Sequence, residues 1–212
     1  SLSSLNPKKR VLDLISEPLR NFENLTSDEE KRKVSELLEI VGINREDIYK
    51  YPHEFSGGQR QRLGIARAVA TKPKLIIADE PVSALDLSVQ AQVLNYLKNI
   101  QRELNLSYIF ISHDLGVVRH MCDYIYIMHR GKFTETGTRE DIYNNAKHIY
   151  TKRLIASIPQ INPMAKEDLK KQREKVEKEF EDLYSHFYDS NGRVFALEQI
   201  SETHSVASST KI

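Results

Sequence analysis

The stretch EFSGGQRQRLGIARAV, Glu54 to Val69, decides how the rest of this sequence is interpreted. Ser56 stands where a helix N-cap is expected, and a helical pattern continues to the end of the stretch. A helix start exposes unpaired N–H groups and a partial positive charge, so it attracts an anion such as phosphate. Gly57 and Gly58 carry no side chain that would hold the anion away, and Gln59 can add a side-chain contact. A Gly-Gly pair is equally typical of a flexible turn, so this stretch alone leaves both interpretations open.

A second feature follows in LIIADE, Leu75 to Glu80, an apolar run that ends in two carboxylates. The run predicts a strand that is buried on both faces. Asp79 and Glu80 would then lie at the carboxyl end of that strand, where open α/β sheets bind their ligands. An Asp there can hold Mg²⁺ through water, and a neighbouring Glu can orient or deprotonate an attacking water. The alternative is an ordinary strand end with two solvated acids.

Two more polar residues occur at comparable places further along the chain. Asp86 ends PVSALD, a tight loop before a helix, where it can serve as an N-cap. His113 follows the predicted strand YIFIS, so its imidazole can reach a γ-phosphate, with its tautomer set by a neighbour. A single His at a strand end is more often structural, but the occurrence of all these features in one order favours a nucleotide site.

Composition excludes several classes of protein. The 212 residues carry 31 basic and 30 acidic side chains, and this net charge of +1 gives no field that would draw the chain to nucleic acid. A single cysteine, Cys122, excludes an internal disulfide framework and fits a reducing compartment. The apolar runs are much shorter than the ~18–20 residues that cross a bilayer.

The hydrophobic pattern divides the chain into segments with different periodicity. Residues 1–72 predict a helical subdomain, with helix starts at Asn6-Pro7 and at Thr26 or Ser27. Residues 73–160 alternate strands and helices, which predicts an α/β core with parallel pairing that is closed by a hairpin turning at His129–Gly131.

The last part of the chain, residues 161–212, is predicted to be a charged helical extension behind a linker at Pro159–Pro163. Most positions between 166 and 182 are charged, which is typical of a solvated helix lying on its own domain. A short coiled coil is the less favoured alternative. The polar C-terminal stretch SETHSVASSTKI is expected to fray.

Taken together, FSGGQRQR, LIIADEP, SALD and ISHD resemble the nucleotide-binding domain of ATP-binding cassette (ABC) transporters over about residues 1–160. This resemblance implies an α/β fold of the P-loop NTPase type. It implies the C-terminal part of such a domain, with a helical subdomain and a mostly parallel sheet core.

The resemblance also implies roles for particular residues. Ser56, Gly57, Gly58 and Gln59 would contact the γ-phosphate of ATP held by the opposing domain. Asp79 would support Mg²⁺, and Glu80 would be the catalytic carboxylate. Asp86 would lie at the dimer interface, and His113 would sense the γ-phosphate.

The flanking sequences SSLNPKKRVLDLISEPL and HIYTKRLIASIP resemble ATP subunits of oligopeptide and dipeptide importers, and the opening favours the second of two paired ATPases. The implied partners are a second ATPase subunit in a homo- or heterodimer, transmembrane permease subunits and, indirectly, a peptide-binding protein, but no nucleic acid. The implied location is the cytoplasmic face of the membrane. Three features depart from that subfamily. Phe55 stands before Ser56, where Leu is commoner; the charged segment 165–187 has no recognised counterpart; and a cysteine-rich C-terminal region is not found in this sequence.

A Walker A phosphate loop needs two glycines five positions apart, followed by Lys and Ser or Thr. No two of the 8 glycines have that spacing. We therefore expect that the first half of the catalytic core is not among these residues, and that they neither bind ATP tightly nor hydrolyse it by themselves. Two alternatives remain open at this point: a catalytically inactive module that binds in trans, and a soluble cassette ATPase of DNA repair or translation. The flanking sequences and the balanced charge disfavour the last.

Overall fold

The computed structural model describes residues 5–83, 85–158 and 166–209. The chain divides into two compact units, Ser1–His113 and Asp114–Ile212. This division falls inside the core predicted for residues 73–160, so the two parallel strands belong to the first unit and the hairpin belongs to the second.

The first unit is mainly helical and contains one pair of parallel strands. In chain order its elements are α1 (Val11–Arg20), α2 (Ser27–Ile40), short 3-10 helices over Arg45–Tyr49 and Pro52–Glu54, α3 (Gly57–Val69), β1 (Leu75–Asp79), α4 (Leu87–Leu104) and β2 (Ser107–Ile111). Its core is formed by buried apolar side chains of the helices, among them Leu14, Leu19, Val34, Leu38, Leu63, Ala66, Val69, Leu97 and Ile100.

The two predicted helix starts in this unit have different outcomes. Thr26 caps α2 as expected, because its hydroxyl accepts from the Glu29 N–H and the Glu29 carboxylate accepts from the Thr26 N–H at 2.8 Å. The prediction at Asn6-Pro7 is wrong, since Asn6 forms a turn with the Lys8 N–H and α1 begins only at Val11. The Val11 N–H donates to the Lys50 carbonyl at 2.9 Å, so a tertiary hydrogen bond replaces a local cap.

The strands β1 and β2 are parallel, with Leu75 opposite Ser107 and Asp79 opposite Ile111. One face is covered by α4, to whose Leu97 carbonyl the Tyr108 hydroxyl donates at 3.2 Å. The prediction that β1 is buried on both faces is wrong in this structure. The other face is exposed because, among the described residues, no element of this unit packs on it; its apolar members are Leu75, Ile77, Ile109 and Ile111, which are 49%, 65%, 49% and 49% exposed.

The second unit combines helices with an antiparallel sheet. In chain order its elements are α5 (Leu115–Met121), β3 (Tyr124–His129), β4 (Lys132–Thr138), α6 (Arg139–Tyr143), α7 (Ile149–Ser157), α8 (Lys166–Asp182), α9 (Tyr184–Phe187), β5 (Leu197–Gln199) and β6 (Ser205–Ala207). The strand order is β3-β4-β6-β5. The hairpin predicted at His129–Gly131 is confirmed. The structure thus has the α/β composition that the sequence predicts, but within the described ranges parallel pairing is confined to β1 and β2.

The prediction that the C-terminal stretch frays is wrong for β6. This strand pairs with β4 on one side and β5 on the other, and Val206 and Ala207 are fully buried. The fully buried Glu135 of β4 reinforces the pairing, because its carboxylate accepts from the Lys147 N–H at 2.7 Å and lies 2.8 Å from Nε2 of His204. Residues 161–212 therefore contain strands as well as the predicted helix.

The charged helix α8 lies on α7 of its own unit, as favoured from the sequence. The Arg153 guanidinium pairs with Glu177 at 2.8 Å and lies over the Phe180 ring at 4.7 Å. The Arg173 Nε donates to the Ala156 carbonyl at 3.0 Å. The predicted linker Pro159–Pro163 lies outside the described residues. Within the part of the chain that is described, no helix is both long and apolar enough to span a membrane.

Candidate functional site

The start of α3 is a reciprocal cap formed by two of the predicted site residues. Ser56 is exposed, and its Oγ accepts from the Gln59 N–H at 3.3 Å, while Oε1 of Gln59 accepts from the Ser56 N–H at 2.9 Å. The Gln59 carbonyl oxygen is therefore committed to the cap, and its NH₂ group is the donor that it can offer to a ligand. Phe55 is buried beside this turn and adds an apolar side chain to its base.

The two glycines of this turn differ in their surroundings. At Gly57, the nearest atom to an added Cβ would be Cδ2 of Leu85 at 3.9 Å, which is an ordinary contact. Gly58 is buried, and an added Cβ would lie under 3.0 Å from Cγ1 of Val89. Packing against α4 thus gives a separate reason for the missing side chain at Gly58, and the expectation that both glycines contact an anion stays a prediction.

Asp86 lies beside this turn as the N-cap of α4. Its Oδ1 accepts from the Val89 N–H at 3.0 Å and from the Ser88 hydroxyl at 2.7 Å. These hydrogen bonds, above all the one from the Val89 N–H, lower the pKa of the Asp86 carboxyl below its ordinary value. The carboxylate is therefore ionised near neutral pH and stabilises the helix start. Its place at a dimer interface stays a prediction.

A second group of predicted residues meets at the carboxyl ends of β1 and β2. The Glu80 N–H donates to the Ile111 carbonyl at 2.9 Å, and the Ser83 hydroxyl donates to the Glu80 carbonyl at 3.2 Å. The backbone of Glu80 is left-handed, with φ of 45°, a conformation that side-chain-bearing residues rarely adopt. Hydrogen bonds on both sides thus hold Glu80 in a strained position, as is common at functional sites.

The side chains of Glu80 and His113 contact each other directly. His113 Nδ1 lies 2.9 Å from Glu80 Oε1, and the two side chains are 71% and 49% exposed, respectively. This hydrogen bond lowers the pKa of the Glu80 carboxyl, so the carboxylate is ionised and His113 Nδ1 is the donor. A neutral imidazole with its proton on Nδ1 offers Nε2 as an acceptor. It can donate to a phosphate oxygen through Nε2 only as the imidazolium.

Asp79 ends β1 next to Glu80 and is exposed. In residues 5–83, 85–158 and 166–209 no group of at least three His, Cys, Asp or Glu side chains is arranged to hold a metal. A single carboxylate fits Mg²⁺, which keeps several waters and takes its other ligands from substrate phosphates. Asp79 is thus suited to a metal that arrives with a nucleotide.

The structure therefore brings the predicted residues together in two groups within the first unit. One group is the capped turn Ser56–Gln59 with Asp86, and the other is the sheet edge with Asp79, Glu80 and His113. Sequence reasoning missed Arg62 of α3, whose Nη1 donates to the Val41 and Gly42 carbonyls at 3.1 and 2.9 Å. Arg62 follows Gly58 by four positions, so the two residues share one face of α3. This spacing was the sequence signal that could have indicated a role for Arg62.

Comparison with known protein families identifies two segments of the chain. Residues 3–83 match the ABC transporter family, and residues 134–189 match the C-terminal region of the oligopeptide/dipeptide transporter family. The charged segment 165–187 falls entirely within the second match. Its treatment as a departure from the subfamily was therefore wrong, because its charged composition hides the relationship.

Individual relatives agree with these matches. The oligopeptide transport ATP-binding protein OppF of Lactococcus lactis subsp. lactis is 55% identical over 204 residues, which are 96% of this chain and 64% of the relative. The dipeptide transport ATP-binding protein DppF of Lactococcus lactis subsp. cremoris is 52% identical over 164 residues, 77% of this chain and 53% of the relative. The chain thus spans less than two thirds of the length of these relatives.

A solved structure has the same fold over much of the chain. It is a dimeric ATP-binding cassette in a post-hydrolysis state, bound to ADP and Pi. It is 27% identical with a TM-score of 0.57, and the match covers 64% of this chain and 59% of that one.

Proposed function

We propose that this chain is part of the ATP-binding subunit of a peptide importer, because residues 3–83 match the ABC transporter family and residues 134–189 match the C-terminal region of oligopeptide/dipeptide transporters. The observation that carries the proposal is the capped turn Ser56–Gln59, which lies against the Asp86 loop in the same compact unit as the Glu80–His113 pair.

In this proposal the turn contacts ATP that is bound to an opposing subunit. The Ser56 hydroxyl donates to a γ-phosphate oxygen, while its lone pair keeps capping α3. The Gly57 N–H lies in the first turn of α3, where backbone donors and the helix dipole both favour an anion. The Ser56–Gln59 turn needs to form no covalent bond, because phosphoryl transfer depends mostly on positioning and on charge stabilisation.

The sheet edge would act on a nucleotide held by this chain's own side of the interface. Glu80 orients the attacking water and accepts its proton, and the hydrogen bond from His113 fixes the direction of the carboxylate. Asp79 would hold Mg²⁺ through water, and that ion would neutralise charge on the phosphates.

The proposed partners follow from the family. They are a second ATPase subunit in a homo- or heterodimer, transmembrane permease subunits and, through these, a peptide-binding protein. The dimeric state of the similar solved cassette supports the first of them. The proposed place of action is the cytoplasmic face of the membrane.

We expect these 212 residues by themselves to release no phosphate from ATP, because they contain no glycine pair with Walker A spacing. The exposed apolar face of β1 and β2 supports the need for another segment beside them. Release of radiolabelled phosphate by the purified chain is compared with release by the Lactococcus lactis relative. Turnover comparable to that of the relative contradicts the expectation.

The second candidate function is a catalytically inactive module whose Ser56–Gln59 turn contacts ATP bound to another subunit. The same lack of a Walker A sequence favours this candidate. Both candidates require the chain to co-purify with a Walker A-bearing ATPase subunit and to raise its rate of ATP hydrolysis. They differ in whether the Glu80 edge also turns over ATP once a phosphate loop is supplied. The soluble DNA-repair or translation alternative is disfavoured by the match of residues 134–189.

Replacing Ser56 by Asp tests whether the turn meets an anion. Asp, Asn and Ser cap helices about equally well, so Ser56→Asp and Ser56→Asn should both unfold within about 0.5 kcal/mol of the unchanged chain. The Asp variant adds a negative charge toward the proposed phosphate. We expect it to lose at least about 90% of the stimulation of the partner ATPase, since like charges at close range cost several kcal/mol.

Ser56→Asn is the matched neutral control for this experiment, and it should retain much more of the stimulation than Ser56→Asp. Equal stimulation by the two variants would show that no anion approaches Ser56, and the proposed function would then lose the observation that carries it.

A further inference from the structure

Arg62 joins three helices of the first unit. Its Nη1 donates to the Val41 and Gly42 carbonyls at the end of α2, at 3.1 and 2.9 Å. Its guanidinium lies over the Tyr96 ring of α4, 5.0 Å from the centroid. The end of a helix carries partial negative charge on its last carbonyls, so a cation is well placed there. The planar guanidinium can bond these carbonyls and stack on a ring at the same time, which an ammonium group cannot do.

Gly42 shows how closely these groups are fitted. Its φ of 66° is in the left-handed region, and an added Cβ would lie under 3.0 Å from the Tyr96 hydroxyl. The chain at the end of α2 therefore approaches Tyr96 at a point where a side chain would push the ring away from Arg62.

The Arg62–Tyr96 contact belongs to the same helix pair as the Gly58–Val89 contact. Gly58 and Arg62 are four residues apart on α3, and Val89 and Tyr96 are seven residues apart on α4, so each pair lies on one face of its helix. The two contacts follow one seam between α3 and α4. The N-terminal ends of these helices are the Ser56–Gln59 turn and the Asp86 cap.

We propose that Arg62 is a positioning residue that clamps α3 to α4 and thereby holds the Ser56–Gln59 turn at a fixed place relative to Asp86. The role assigned to that turn rests on the proposed function, but the clamp itself can be tested without nucleotide. Arg62 acts through the helices and touches no ligand.

The clamp is tested first by a distance measurement on the full chain. Cys122 is the single cysteine, so a Cys122→Ser background allows spin labels at two exposed alanines, Ala68 of α3 and Ala91 of α4. Arg62→Ala is expected to widen the distribution of label distances at least about twofold, since it removes the groups that fix the helix pair. Tyr96→Leu removes the ring and should widen the distribution in the same sense. The Tyr96→Leu variant thus still tests the clamp if Arg62→Ala does not fold.

Arg67→Ala is the matched control, because it removes another arginine of α3 whose ion pair, at 3.3 Å, is with Glu17 of α1. It should leave the distribution narrow. An unchanged distribution in both Arg62→Ala and Tyr96→Leu would overturn the clamp.

Kinetics separate positioning from general support of the fold. In the complex with a Walker A-bearing ATPase subunit, Arg62→Ala is expected to lower kcat about tenfold and to change KM for ATP less than about twofold, because the partner's phosphate loop still binds the nucleotide. Arg67→Ala should change neither. A widened distribution with unchanged kcat would overturn the positioning role. If the unchanged chain fails to stimulate hydrolysis, the proposed function fails, while the distance measurement still decides the clamp.

Discussion

Replacing Glu80 with glutamine is expected to lower the rate of ATP hydrolysis at least about 100-fold while nucleotide binding persists. The Glu80 side chain is the one carboxylate of the sheet edge that accepts a hydrogen bond from the His113 imidazole, and this bond lowers its pKa. Glutamine keeps the shape and can still meet His113, but it cannot accept a proton from water. The loss should therefore appear in kcat rather than in KM.

The measurement needs a protein in which the sheet edge faces a phosphate loop. A suitable one is a fusion of this chain with the part of the Lactococcus lactis relative that the match does not cover, assayed for phosphate release and for binding of a fluorescent ATP analogue. Glu103→Gln, at an exposed position of α4, is the matched control and should hydrolyse ATP normally. Full activity of Glu80→Gln would remove Glu80 from the catalytic role.

Replacing Gly58 with alanine is expected to destabilise the protein by about 1–3 kcal/mol, the usual cost of overpacking. In an open helix the same change would stabilise by up to about 1 kcal/mol, because alanine is the better helix former. The reversal is expected because the new Cβ would lie under 3.0 Å from Cγ1 of Val89. Urea unfolding midpoints measured at equal protein concentration report the difference.

A second substitution shows whether packing is the cause. Val89→Ala removes Cγ1, so the double variant Gly58→Ala/Val89→Ala should regain most of the stability lost by Gly58→Ala relative to Val89→Ala alone. Stimulation of the partner ATPase should return with it, since the Cβ at position 58 points at α4. Recovered stability without recovered stimulation would mean that the bare backbone at position 58 serves the ligand and that packing is not its main reason.

The parts of the fold that were predicted correctly are those whose signals are local. Thr26 forms a capping box with the residue three positions later, and the hairpin at His129–Gly131 is defined by its own turn. The exposed face of β1 was not predictable from the sequence. An apolar run indicates that both faces of a strand favour burial, but it does not show whether another element packs on each face. The strand β6 was missed for a related reason, since three residues show too little periodicity and the strand depends on pairing with β4 and β5.

The candidate site shows the same division. The positions of Glu80 and His113 after strands and of Ser56 at a helix start were predicted correctly, because local sequence patterns mark the ends of elements; the roles of these residues stay predictions. The direct Glu80–His113 hydrogen bond depends on the relative positions of two strands. The Gly58–Val89 approach and the Arg62 clamp depend on the distance between two helices. No spacing within a single segment reports such distances.

The pairing of β6 has a consequence for the gene. A nonsense codon at His204 would delete an interior strand and leave the buried Glu135 carboxylate without the imidazole that it contacts. We therefore expect truncating and frameshift alleles at the codons for β6 to be tolerated poorly, and a mutational scan would find such alleles depleted.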